Sequence, residues 1–289
     1  APEGPPRARS PAPRGRPACY KGAMYETIAV AKQGPITTLT LRERTMRGIF
    51  FAEIGEAFGA IADDPEVRAV IVEGEGKCFT YGLDLPDAAQ TMGDAFAGGG
   101  AATRTELWRT IHRLQRAFNA IEECPVPVIA AVHGWCIGGG VDLICAADLR
   151  LASADARFSV RETKIAIVAD LGTLQRLPRI VGPGHARELA FTGKDIPAAR
   201  AATIGLVNDV LPDHDALRAA ARALAEEIAA NPPLTVRGTK EVMRFSEGKD
   251  PREGLAYVAA WNSAFLASED LGEAVSAFFG KRPPSFKGR

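Results

Sequence analysis

No sign of charge dominates this sequence. Its 35 Lys and Arg are matched by 35 Asp and Glu, a formal net charge of zero. It therefore lacks the overall basic field that draws a protein to nucleic acid or to an anionic membrane surface. No basic stripe interleaved with aromatic residues offers a local substitute. Cysteine is sparse: five residues, at 19, 78, 124, 136 and 145, without CxxC or CxxH spacing. An odd, unpatterned set reads as reduced thiols in an intracellular protein, here of bacterial cytoplasmic type. The four histidines, at 112, 133, 185 and 214, form no ligand cluster, so no metal is expected. No apolar run reaches the roughly 18 residues of a membrane span. Neither nucleic acid nor membrane is thus an expected partner.

What is present is enough for one large core. The 289 residues are 46% hydrophobic and 24% charged. Residues 1–23 stand apart, with six prolines, many arginines and a single acid, Glu3. Such a segment buries too little apolar surface to offset its chain entropy and is expected to be a disordered extension, with Met24 as a natural start. Arginine richness is a transit-peptide trait, but the prolines oppose the amphipathic helix such a peptide needs; organellar import stays open.

From residue 25, two short apolar stretches flank Gln33-Gly34-Pro35, a hairpin. Helical spacing of Ile49, Phe50, Ile54, Phe58 and Ile61 predicts an amphipathic helix over 47–62. Strands are expected at 67–73, 126–132, 149–153 and near 207–211, and a helix at 104–123. Residues 93–101, rich in Gly and Ala, read as a mobile link. From about 183 onward the pattern is mostly helical. Alternating strands and helices, then helices alone, predict an α/β domain at 24–211 with a helical C-terminal portion at 212–289.

The strand at 126–132 runs into His133-Gly134-Trp135-Cys136-Ile137-Gly138-Gly139-Gly140-Val141-Asp142-Leu143. Strand, glycines, helix exposes backbone N–H groups at a helix N-terminus, where partial positive charge suits an anion or a developing oxyanion. A tight turn alone would need only one glycine. Two look-alikes fail. Gly74-Glu75-Gly76-Lys77 lacks the spacing and the Ser or Thr of a phosphate loop, and reads as a turn. Gly138-Gly139-Gly140 is not GxGxxG and has no acid in the dinucleotide-site position.

These segments, with 79–85 (FTYGLDL), 127–134 (PVIAAVHG), 172–182 (GTLQRLPRIVG), 191–193 (FTG) and 205–207 (GLV), resemble the crotonase superfamily of enoyl-CoA hydratases and isomerases over about residues 25–288. Within it, 136–143 (CIGGGVDL) and 169–178 (ADLGTLQRLP) are most similar to the dienoyl-CoA isomerases. The resemblance implies a spiral of ββα units with C-terminal helices that form trimers, often paired into hexamers. It implies an acyl-CoA thioester substrate, with no cofactor beyond the coenzyme A of that substrate. It also implies an oxyanion hole made by the backbone N–H groups of Leu83 and Gly139, with substrate contacts at Gly82, Asp84, Leu85 and Gly140. Each such donor is typically worth about 3 kcal/mol in a transition state.

Hydratases of the superfamily carry Glu at the positions of Asp142 and Glu162. Here the first is shorter, and a third acid, Asp170, stands where hydratases commonly have Gly. The set Asp142, Glu162, Asp170 is that of dienoyl-CoA isomerases, which convert 3,5-dienoyl-CoA to 2,4-dienoyl-CoA. Moving two double bonds requires a proton to leave C2 and one to arrive at C6. Two spaced carboxyls meet that need: Glu162 near C2 and Asp170 near C6, with Asp142 orienting substrate or neighbours. Taken singly, Asp142 could be a structural cap, Glu162 a surface pair with Arg161 or Lys164, and Asp170 the N-cap of a helix starting near Gly172. An enoyl-CoA hydratase, or a non-catalytic binding protein of the same fold, is the alternative. The loop at 41–46, shorter and more charged than in relatives, leaves contacts to the CoA nucleotide end open. Tyr81 and Trp108 are candidate walls of an acyl pocket, or plain core.

Overall fold

The computed structural model describes residues 24–96 and 98–289. The extension expected at 1–23, and Ala97 within the Gly/Ala stretch, lie outside the described residues. In chain order, β1 (Ile28–Gln33) and β2 (Ile36–Leu41) make the expected hairpin, followed by α1 (Gly48–Ala62) and β3 (Ala69–Gly74). Next come α2 (Leu85–Phe96), α3 (Ala101–Glu122), β4 (Val128–Val132), β5 (Trp135–Ile137) and α4 (Gly139–Ala146). Then follow β6 (Leu149–Ser153), β7 (Arg157–Ser159), a 3₁₀ turn (Glu162–Ile165) and α5 (Thr173–Thr192), which breaks at Gly182 ahead of Pro183. The chain closes with β8 (Ile196–Pro197), α6 (Ala198–Thr203), β9 (Asp209–Leu211), α7 (His214–Ala229), α8 (Pro233–Ser246), α9 (Pro251–Phe265) and α10 (Glu269–Gly280).

Among the described residues, six strands form one sheet in the order β1-β2-β3-β4-β6-β9, parallel except for the first hairpin. Its inner strands are apolar at successive positions because both faces are covered. Val70 and Val72 of β3 and Val128, Ala130 and Val132 of β4 join Phe50, Ile54, Phe58, Phe118 and Ile121 of α1 and α3 in the larger core. The alternate residues, Ala69, Ile71, Ile129 and Ala131, pack on Leu217, Ala221, Ala225 and Ala229 of α7. The helix at the start of the C-terminal stretch is therefore part of the sheet's packing.

Two of the differences from the sequence reading bear on the site. Residues 85–96 form a helix, and a second begins at Ala101, so the stretch read as a mobile link supplies two helix ends. Asp84 caps the first of these: its Oδ1 accepts from Asp87 N at 2.9 Å, and Asp84 O accepts from Ala88 N. A short strand, β5, also intervenes between β4 and the glycines. It pairs with β7 and, through Cys136, with Thr80, in a small sheet set against the ends of the main strands.

Candidate active site

Two segments converge at this small sheet. Thr80 and Cys136 form a parallel bridge, with Thr80 N donating to Trp135 O at 2.9 Å and Ile137 N to Thr80 O at 3.1 Å. Three residues on, Leu83 bridges Met46: Met46 N donates to Gly82 O at 2.8 Å and Asp84 N to Met46 O at 3.0 Å. That bridge uses the groups on either side of Leu83 and turns the Leu83 N–H to the opposite edge, toward α4. The charged loop after β2 is thus stitched to the 80–84 segment, Tyr81 N and Thr80 Oγ1 both donating to Arg44 O.

Opposite Leu83, α4 begins at Gly139, whose N–H is among the first-turn donors with no partner inside the helix. The two backbones nearly touch. A methyl group on Gly139 would stand 3.8 Å from Leu83 N; one on Gly82 would stand 2.5 Å from Ile137 O and 3.1 Å from Gly139 N. Gly82 also has φ +82°, a region open to glycine. Gly140 faces away from this gap: a Cβ there would lie 2.6 Å from Thr80 Cγ2, so its lack of a side chain lets α4 seat on the small sheet.

The three acids gather around this helix start. Glu162 leads the 3₁₀ turn, and its Oε1 lies 3.3 Å from where a Cβ on Gly138 would be. Its Oε2 is buried without a hydrogen-bond partner among the described residues. An ionisable oxygen left unpaired inside a protein is costly unless something else meets it, which marks this atom as a candidate to meet a substrate. Asp142, 1% exposed in the first turn of α4, accepts from Thr173 N at 2.6 Å. It therefore holds the N-terminus of α5, a neighbour-orienting role, and the cap considered for Asp170 belongs to Asp142 instead. Asp170 keeps its carboxyl free of that duty. Its carbonyl accepts from Gln115 Nε2 on α3 at 2.7 Å.

All three carboxyls hold protons more tightly than usual. Burial pushes Asp142 up to about 7, partly offset by Thr173, with the charges of Glu162 and Asp170 adding to the rise. Glu162 is raised first by burial and then by Asp170, against backbone N–H groups that pull it down. Asp170 is open to solvent along one side, yet surrounded by enough protein for desolvation to raise it too. Charges this close resist simultaneous ionisation and titrate as a set. Of the three, Asp142 is raised furthest, to about 7, and the upward push on Glu162 and Asp170 is in the direction that lets a carboxyl serve as an acid. A reaction run by these groups should peak with pH, its acid limb lying above the about 4 of isolated carboxyls and its alkaline limb marking loss of the set's last proton. A flat rate from about pH 5 to about pH 9, with chemistry rate-limiting, would show that one base works alone.

The remaining residues expected from the sequence are placed as follows. The Asp84 side chain is spent on the α2 cap and on Thr45 Oγ1 at 2.7 Å, contacts that hold its carboxyl below the usual range. Leu85 opens α2 and is 49% exposed. Tyr81 and Trp108 are both exposed, so neither is plain core. The sequence did not point to Met46, whose buried Sδ lies 3.2 Å from the Cβ position of Gly139, nor to Gln115. A cavity of about 620 Å³ between α4, α5 and α8 contains none of the three acids. Among the described residues no group of His, Cys, Asp and Glu could hold a metal ion, and no helix is long and apolar enough to cross a membrane.

Comparison with known proteins gives consistent matches. The enoyl-CoA hydratase/isomerase family profile matches residues 32–289. The mitochondrial Δ3,5-Δ2,4-dienoyl-CoA isomerase of Dictyostelium discoideum is 48% identical over 238 residues, 82% of this chain and 81% of its own. The human mitochondrial enzyme of that name is 43% identical, over 82% and 72%. Carnitinyl-CoA dehydratase of Salmonella arizonae is 36% identical over 92% of this chain. Among solved structures, an enoyl-CoA hydratase from Bacillus anthracis superposes with a TM-score of 0.83 at 31% identity, over 91% of this chain and all of that one.

Proposed function

Because the chain belongs to the enoyl-CoA hydratase/isomerase family and has its fold, we propose that it converts 3,5-dienoyl-CoA to 2,4-dienoyl-CoA with the three gathered acids and two backbone donors. The observation that carries the reading is the unpartnered, buried Glu162 Oε2 beside the helix that starts at Gly139. The thioester oxygen accepts from Leu83 N–H and Gly139 N–H, which acidifies the C2 protons. Glu162 carboxylate takes one of them. The electron pair left at C2 delocalises over the two double bonds and the carbonyl, giving a conjugated enolate whose negative oxygen the two donors stabilise. The carboxylic acid of Asp170 then protonates C6. The double bonds now lie at C2 and C4, Glu162 holds the proton that left, and Asp170 is ionised. Return of one proton from Glu162 to Asp170 restores the site.

Asp142 works through structure in this scheme. With Oδ1 committed to Thr173 N, it fixes α5, and so the Asp170 segment, against the helix that carries Gly139. The same commitment argues against hydration, which in the superfamily uses two glutamates to hold a water. Asp142 is one methylene shorter and already engaged. Addition of water to a 2-enoyl-CoA should therefore be much slower than isomerisation on a matched acyl chain; equal or faster hydration would make hydratase the better name. The direct test is ultraviolet absorbance on mixing the protein with a 3,5-dienoyl-CoA. A conjugated 2,4-dienoyl thioester should appear, and an unchanged spectrum with folded protein would sink the proposal.

Assembly into trimers or hexamers of this chain belongs to the same proposal. It is supported by the apolar surface of the last two helices, where Leu255 is 66% exposed and Phe278 and Phe279 are each 79% exposed. The compartment proposed for this chain is the cytoplasm, with organellar import the alternative, since relatives are named mitochondrial or peroxisomal.

A further inference from the structure

Asp170 lies in a segment, 166–172, that has neither helix nor strand to fix it. Two consecutive carbonyls in that segment are nevertheless held by side chains tied to α3. Gln115 Nε2 donates to Asp170 O at 2.7 Å. Arg176 Nη1 donates to Leu171 O at 3.3 Å. The same guanidinium is anchored to α3 through Nη2 to Asn119 Oδ1 at 2.7 Å, and through Nε and Nη2 to Glu122 Oε2 at 3.0 and 2.5 Å. Residues 115, 119 and 122 recur at helical spacing and so share one face of α3. Arg176 is only 9% exposed, and a Cβ on Gly172 would fall 1.9 Å from its Nη1. Gly172 thus makes the room that lets the guanidinium reach the carbonyl beside Asp170.

We infer that Gln115 and Arg176 are positioning residues for Asp170: they clamp its backbone to α3 so that its carboxyl stands at C6 of the substrate. The inference rests on the proposed role of Asp170. Nothing in the clamp touches Glu162, so its effect falls on the second proton transfer and spares the first. A planar fork serves this purpose better than an ammonium, because one guanidinium reaches three acceptors in fixed directions. Misplacement of a reacting group by about 1 Å can cost on the order of 10²-fold in rate.

The experiment follows two rates in one sample of full-length protein in D2O with a 3,5-dienoyl-CoA. One is formation of the 2,4-dienoyl thioester; the other is wash-in of deuterium at C2 of unreacted substrate, read by mass spectrometry. Their ratio does not depend on how much protein is folded. Gln115→Met keeps the bulk of the side chain at a half-buried site and removes the donor. It should lower isomerisation kcat by roughly tenfold with KM little changed, while C2 exchange stays within about twofold because Glu162 still works. The enolate then returns to C2 more often than it proceeds to C6. Arg176→Lys, which loses the fork, should shift the ratio the same way. If isomerisation and exchange fall in step, or neither changes, the clamp is packing alone and the inference is wrong. A wild-type chain that neither exchanges nor isomerises would overturn the proposed function, and the inference with it.

Discussion

Asp170→Asn is expected to abolish isomerisation, lowering kcat by about 10²- to 10⁴-fold, the range over which positioned general acids act. Binding of the CoA thioester should be nearly unchanged. Asn matches Asp in size, and the contact that fixes this residue is made by its backbone carbonyl to Gln115, which the substitution leaves in place. The carboxyl itself does not cap α5, since Thr173 N is served by Asp142. A loss of activity therefore cannot be assigned to an unravelled helix end. An amide has no proton to give at C6 near neutral pH, so on the proposed mechanism the enolate formed by Glu162 should only return to C2. Deuterium should keep entering C2 while the 2,4-dienoyl product fails to form. Wild-type turnover in the variant would remove Asp170 from the chemistry and leave Glu162 as a single shuttle. Loss of C2 exchange together with isomerisation would place Asp170 in the first proton transfer.

The parts of the site legible in the sequence were those that permit no substitute. Backbone donors at a helix start need glycine for close approach, and Gly82, Gly138, Gly139 and Gly140 are conspicuous because three occur together. Acids are legible by type and spacing, but their division of labour is not. Asp142 reads equally as a substrate contact or a cap, and only the Thr173 N–H at 2.6 Å decides that it is engaged with α5. For Asp84 the sequence reading is only an expected substrate contact, and the structure adds that its side chain caps α2. A signal was present: Asp84-Leu85-Pro86-Asp87 places a capping residue before Pro in the first turn. The Gly/Ala run that follows masked the helix, since its weak periodicity resembles a linker. Residues 135–137 are too few to show strand periodicity, so β5 depends on its partners Thr80 and β7. Gln115 carried no signal, because the group it holds lies 55 positions away and is a main-chain carbonyl.

The proposed oxyanion hole gives a second large effect, because it can be opened without touching either donor. In Gly82→Ala the new methyl would meet Ile137 O at 2.5 Å and Gly139 N at 3.1 Å, the first shorter than real contacts allow. Neither neighbour is the free end of a flexible side chain; both are backbone, one on β5 and one on the first turn of α4. The two segments must move apart, and on the proposed scheme Leu83 N–H and Gly139 N–H should then no longer meet one oxygen. Loss of one such donor typically costs on the order of 10²- to 10³-fold in kcat, and both are displaced here. Alanine at φ +82° adds a backbone penalty of roughly 1–2 kcal/mol, which lowers the unfolding temperature by a few degrees. Gly76→Ala separates the two effects. Gly76 has the same φ of +82° but nothing within 4 Å of its Cβ position. It should lose comparable stability and keep its isomerase rate, whereas Gly82→Ala should lose both. Equal activity in the two variants, measured well below their unfolding temperatures, would mean that Leu83 and Gly139 do not share the thioester oxygen.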